Sequence, residues 1–176
     1  MQVIPTPLSP AYIIIPDHIS DDRGFFSRLF CQHEFAQFNI NPNIAQINNS
    51  YNHKKGTLRG LHYQKEPFEE EKTVRVVSGA IWDVIVDIRP SSPTYLSWFG
   101  AGLDAENRKM MFVPKGFAHG FITLTDNTEV FYFMSQSYSP DHSSGLPWND
   151  PALSIDWPIE PVMISEKDMN WPTISS

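Results

Sequence analysis

The 176-residue chain has little of several things, and each shortage narrows what it can be. It has one cysteine, Cys31, so no internal disulfide can form and nothing points to an oxidising compartment. It has no basic surplus: 13 Lys and Arg stand against 20 Asp and Glu, a net charge of −7. That balance argues against a partner wrapped through its phosphate backbone, so no nucleic acid is expected. A small anionic ligand stays possible, because a few local arginines outweigh distant net charge. Long apolar runs are missing too; the longest early one is Tyr12 to Ile15, far too short for a bilayer. The opening MQVIPTPLSP lacks a basic stretch followed by an apolar one, so the expectation is a soluble, cytoplasmic protein with no membrane partner. No internal repeat and no low-complexity linker divides the chain, which predicts one domain over residues 1–176.

What is abundant points to β structure. Fifteen prolines, 5 Trp, 6 Tyr and 12 Phe, with few alanine- or leucine-rich stretches, disfavour a helical bundle. Only residues 33–39 (HEFAQFN) read as a short helix. Strands are predicted over 11–15, 44–51, 57–64, 74–78, 80–88, 96–103, 109–113, 120–124 and 128–138. Turn residues separate them, among them Pro42, Lys55-Gly56, Ser78-Gly79, Pro90, Pro114 and Asp126-Asn127. About nine strands at roughly regular spacing predict a sandwich or jelly roll. The last forty residues, rich in proline, read as an ordered wrap in which Trp148, Leu153, Ile155, Trp157, Met163 and Ile164 find burial.

Strand parity puts Val130, Tyr132, Met134, Gln136 and Tyr138 on one face. The two tyrosines either line a pocket or are core aromatics with satisfied hydroxyls. In LRGLHYQ (58–64), an arginine and a histidine sit among apolar residues. A charge in a buried strand calls for an anionic partner to Arg59. Parity separates Arg59 from His62, so a shared pocket requires a bulge near Gly60 or a strand end. The run Glu69-Glu70-Glu71 reads as a solvated loop, and Lys72 after it faces either the rim or the interior. Ser165-Glu166-Lys167-Asp168 reads as an N-cap opening a final turn, with Asp168 capping or at the surface.

Residues 113–120 (VPKGFAHG) fit the P-x-G-x-x-H turn-and-strand of cupin barrels. Metal-dependent cupins add an H-x-H and a glutamate; this chain has no H-x-H, so no metal site is expected. The segments DRGFF (22–26), Gln46-x-Asn48-x-Ser50, LRGLHYQ, Lys72, WDVIVDIRPSSPTY (82–95), PKGFAHGF (114–121), Tyr132 and SEKD (165–168) occur in the order of one family. From about Ile13 to Pro172 the sequence resembles the dTDP-4-dehydrorhamnose 3,5-epimerases, sugar-nucleotide epimerases that use no cofactor.

The resemblance implies an all-β, cupin-type double-stranded β-helix with short peripheral helices, and a homodimer that exchanges N-terminal strands. It implies a nucleotide-linked 4-keto-6-deoxyhexose as substrate, whose C3 and C5 protons are acidified by the C4 ketone. By the same resemblance His62 is the base, Asp168 its orienting carboxylate, Lys72 the enolate stabiliser and Tyr132 the acid on the far face. Asp83 is a second candidate partner for His62. Arg23 and Arg59 match diphosphate ligands, and Gln46, Asn48, His119 and Tyr138 match pocket positions. Phe26 is expected to pack on the base from the partner subunit. The departures are Arg28, where the family usually has a base-contacting glutamate, and Ile47, Phe133 and Ser137. They leave open a CDP- or GDP-linked substrate and inversion at C3 or C5 alone. A metal-dependent cupin enzyme and a non-catalytic binding module are the competing classes.

Overall fold

The computed structural model describes residues 1–174. In chain order the elements are β1 (Gln2–Pro5), β2 (Tyr12–Ile15), β3 (His18–Asp21), β4 (Gly24–Ser27), α1 (Gln32–Gln37), β5 (Gln46–Asn52), β6 (Thr57–Gln64), β7 (Lys72–Ser78), β8 (Ala80–Asp87), β9 (Trp98–Asp104), β10 (Met110–Val113), β11 (Phe117–Thr123), β12 (Thr128–Met134), β13 (Ser143–Gly145), β14 (Met163–Ile164) and α2 (Glu166–Met169). The expected all-β jelly roll is what forms. One sheet runs β1-β2-β10-β7-β12-β5 and the other β13-β6-β11-β8-β9, with β14 added parallel to β6. No helix among the described residues is long and apolar enough to cross a membrane.

Alternation explains why these sequences form these sheets. Val74 and Val76 of β7, Ile81 and Ile85 of β8, Phe117 and Phe121 of β11, and Val130 of β12 all point between the sheets and form the main core. Their neighbours point outward. Val84, Val86 and Ala118 on the outer face of the second sheet are covered by Leu146, Leu153 and Trp157 of the C-terminal wrap. Ile14, Met110 and Phe112 on the outer face of the first sheet are covered by Phe35 of α1 and by Ile40. The wrap is as expected except at Met163, which is 48% exposed.

Several strands differ from their sequence-predicted limits. β11 starts at Phe117 rather than residue 120, which puts His119 inside a strand, and β12 ends at Met134 rather than 138. β7 starts at Lys72, so Lys72, Val74 and Val76 share the inner face. The pair β3–β4, unforeseen as an element, forms its own two-stranded sheet apart from both layers.

The β6–β11 pair contains the irregularity on which the site depends. His62 is opposite His119 and Arg59 opposite Phe121, so three steps on β6 match two on β11. The extra residue is a bulge at Gly60, whose φ of +134° favours glycine. A Cβ on Gly60 would lie 2.5 Å from the Gly120 Cα, so the two strands meet glycine on glycine. The bulge turns both Arg59 and His62 toward one cavity.

Candidate active site

That cavity, about 490 Å³, opens between the sheets and has the size of a small-molecule site. From the first sheet come Gln46 and Asn48 of β5, Lys72 of β7, and Tyr132 and Met134 of β12. Facing them are Arg59 and His62 of β6 and His119 and Phe121 of β11. Tyr138, which follows β12, Lys167 and Asp168 of α2, and Glu70 beside Lys72 also line it.

His62 Nε2 lies 2.6 Å from Asp168 Oδ1. Asp168 reaches this place because Ser165 caps α2, its hydroxyl accepting the Asp168 backbone N–H at 3.1 Å. The carboxylate also accepts the Gly60 N–H at 3.3 Å and the Trp171 indole N–H at 3.3 Å. Burial alone would raise its pKa. The His62 hydrogen bond and charge, with those two further donors, overcome burial and hold it below the usual carboxylate range. An ionised Asp168 fixes the His62 proton on Nε2 and leaves Nδ1 as the ring nitrogen without a carboxylate.

Lys72 is buried, with its Nζ 2.9 Å from Glu70 Oε1 and 3.1 Å from the His62 carbonyl oxygen. Glu70 is buried as well and accepts the Gln64 backbone N–H at 3.2 Å. The expected solvated acidic loop is therefore corrected. Glu70 turns inward as the counter-charge of Lys72, and Glu71 is half-buried, accepting the Asn41 N–H at 2.9 Å. A buried lysine next to the chain's acidic run is what draws the run inside.

Arg59 is also corrected. It is exposed at the cavity rather than buried, and its only side-chain partner among the described residues is Asn52, whose Oδ1 accepts Nε at 2.7 Å. Lys167 likewise has no carboxylate partner among the described residues; its Nζ lies 5.2 Å over the Trp171 ring. Two uncompensated cations at one cavity of a chain with net charge −7 make a local anion site. Gln46 and Asn48 are fixed by a mutual hydrogen bond of 3.0 Å, and Gln46 accepts the Tyr138 N–H at 2.8 Å. Tyr132 stands across the cavity from His62, on the opposite sheet. Burial pushes its hydroxyl pKa up, partly opposed by the Arg59 charge, so it remains a proton donor at neutral pH.

Nine of the sequence-predicted residues thus meet in one place: Gln46, Asn48, Arg59, His62, Lys72, His119, Tyr132, Tyr138 and Asp168. Arg23, Phe26 and Arg28 do not. They lie on or beside the β3–β4 hairpin, where Phe26 is 64% exposed, Arg23 pairs with Asp21 and Arg28 pairs with Glu34. Asp83 pairs with His119, at 2.8 Å, and not with His62. Glu70, Lys167 and Trp171 were missed. Parity with Lys72 would have exposed Glu70, and three-residue spacing from Asp168 would have exposed Trp171.

Among the described residues no three His, Cys, Asp or Glu side chains converge to hold a metal ion. Two facing sheets, a histidine–aspartate pair opposite a phenol, a buried lysine and two cations without carboxylate partners among the described residues suit a jelly-roll enzyme that moves protons on an anionic substrate. A family profile described as dTDP-4-dehydrorhamnose 3,5-epimerase matches residues 5–176. The chain is 45% identical over 171 residues to the enzyme of that name from Methanothermobacter thermautotrophicus, covering 96% of this chain and 91% of that one. The crystal structure of dTDP-4-dehydrorhamnose 3,5-epimerase from Bacillus anthracis, with TDP and PPi bound, superposes with a TM-score of 0.95. It is 43% identical, over 98% of this chain and 99% of that one. The 3,5-epimerase from Legionella pneumophila, in complex with dTDP-4-keto-L-rhamnose, gives 0.89 at 39% identity, over 95% and 89% of the chains. The chain belongs to the dTDP-4-dehydrorhamnose 3,5-epimerase family.

Proposed function

We propose that this chain inverts C3 and C5 of dTDP-4-dehydro-6-deoxyglucose, giving dTDP-4-dehydrorhamnose. The observation that supports the reading most is that His62 and Tyr132 line one cavity from opposite sheets. The ionised Asp168 leaves His62 Nδ1 free to take a proton, while Tyr132 holds one on the facing wall. His62 removes the proton α to the ketone, and the C–H electron pair moves onto the C4 oxygen as an enolate. Lys72 stabilises that negative charge. Tyr132 then gives its O–H proton to the opposite face of the carbon, which inverts it. The ketone itself holds the electron pair, so the step balances with protons alone. Arg59 and Lys167 take the diphosphate, an anion that suits two cations without carboxylate partners.

The β3–β4 hairpin supports a dimer in which each copy completes the other's cavity. It pairs with neither main sheet and exposes Ile19 at 70% and Phe26 at 64%. Across a two-fold interface it would bring Arg23, Phe26 and Arg28 to the partner's site.

The test supplies dTDP-4-keto-6-deoxyglucose to purified protein and its His62→Ala variant. The reading expects dTDP-4-dehydrorhamnose from the first and a folded, inactive second. Equal turnover by both would overturn it.

A further inference from the structure

The cavity holds a second histidine–aspartate pair, one strand from the first. His119 Nε2 lies 2.8 Å from Asp83 Oδ1, and His119 is opposite His62 in the β6–β11 register. The two pairs look alike but their carboxylates are held differently. Asp168 accepts from His62, from the Gly60 N–H and from the Trp171 indole. Asp83 is fully buried, and its Oδ2 accepts nothing from any described residue. Three donors can hold a carboxylate charge beside a neutral imidazole; one donor in a fully buried setting cannot.

We propose that the Asp83–His119 pair carries one proton more than the Asp168–His62 pair, which makes His119 a hydrogen-bond donor to substrate while His62 is the base. The extra proton sits on Nδ1, and the other is shared between Nε2 and Oδ1. Whichever atom holds the shared proton, the pair is neutral overall and the buried charge is balanced. The titratable and charged groups that share the cavity with His119 are Arg59, His62 and Tyr63 from β6, Glu70 just before β7 and Lys72 at its start, Tyr132 and Tyr138 on and after β12, and Lys167 and Asp168 from α2. Asp83 of β8 is its own hydrogen-bond partner. Lys72 is balanced by Glu70, whereas Arg59 and Lys167 are cations without carboxylate partners. Those two cations favour the pair with one proton fewer, but both are exposed to solvent, whereas the Asp83 carboxylate is fully buried with an unpartnered oxygen among the described residues, so burial sets the count.

Two similar dyads with different proton counts divide the labour of acid and base in one site. His119 Nδ1–H then joins Lys72 at the oxygen that becomes the enolate, and Asp83 is the positioning residue that keeps the proton there. This role rests on the epimerase reading; the proton count does not.

The test is nitrogen NMR of the ligand-free protein labelled with ¹⁵N-histidine, with each signal assigned by His62→Gln and His119→Gln. From about pH 6 to pH 8, His119 Nδ1 should carry a proton and His62 Nδ1 should not. A bare His119 Nδ1 in that range would overturn the inference. Asp83→Asn should lower kcat for epimerisation about a hundredfold with KM within about twofold. A folded Asp83→Asn enzyme with unchanged kcat would overturn the catalytic role. If Asp83→Asn does not fold, the NMR result on the unaltered chain decides alone. Wild-type protein that epimerises nothing would refute the epimerase reading and leave the proton count to the NMR.

Discussion

Replacing Asp168 by asparagine removes one charge and almost no volume. Oδ1 faces two donors, His62 Nε2 at 2.6 Å and the Trp171 indole at 3.3 Å, whereas Oδ2 faces only the Gly60 N–H at 3.3 Å. The asparagine oxygen therefore takes the Oδ1 place, and its amide group meets the Gly60 N–H donor to donor. His62 keeps its proton on Nε2 in the ground state. What disappears is the anion that stabilises the imidazolium formed as the substrate proton arrives. Unit charges about 4 Å apart at an effective dielectric of about 20 attract by about 4 kcal/mol. The His62 side chain is 40% exposed, and solvent screening brings this to about 3 kcal/mol. Because the loss falls on the transition state, kcat should drop about 10²-fold while KM changes little. The unpaired Gly60 N–H should cost about 1 kcal/mol of stability. Initial rates over a range of substrate concentrations, with a thermal melt of the same sample, measure both. A folded variant with kcat within about threefold of wild type would refute the pairing argument, since about 3 kcal/mol predicts far more.

Gly60→Ala should lower the melting temperature and the activity together. Its Cβ would meet backbone at 2.5 Å where φ is +134°, a cost of about 3 kcal/mol or more; an unchanged melt would contradict the close approach. Tyr132→Phe keeps the ring packed against the core, so the fold should persist while inversion falls about 10²-fold, and deuterium should still exchange with retention through His62. Because burial raises the Tyr132 hydroxyl pKa, the alkaline limb of the wild-type rate profile should not come from this residue below about pH 10. Asp87 is fully buried, and hydrogen bonds from Arg89, Ser92 and Thr94 outweigh burial to hold its pKa well below the usual value. A lowered folded-state pKa contributes stability above about pH 4 that is lost as the pH falls. Asp87→Ala should therefore cost about 2–4 kcal/mol at neutral pH, and the deficit against wild type should narrow on acidification in urea melts.

Strands that bury one full face were legible because alternation writes them into the sequence. Val74, Val76, Ile81, Ile85 and Val130 are examples, and the need for a bulge between Arg59 and His62 followed from the same parity. Short edge strands left no such mark: β14 has two residues and β13 three, too few for a period. The β3–β4 hairpin was invisible for another reason, since its residues are almost all exposed and no core face exists to read. At the site, residue types indicated the chemistry but not the partners. Glu70 looked solvated because acidic runs usually are, and only the inward lysine two residues on reverses that. Asp83 stands as a second candidate for His62 in the sequence but pairs with His119, because the pairing is set by neighbouring strands, β8 beside β11, which sequence spacing does not contain.

The most direct test of inversion by facing acid and base is proton NMR of dTDP-4-keto-6-deoxyglucose mixed with the protein in D₂O. The account predicts that the C3 and C5 protons are both replaced by deuterium as the inverted sugar appears, and that His62→Ala abolishes both exchanges. Folded wild-type protein that leaves both positions protonated would contradict it.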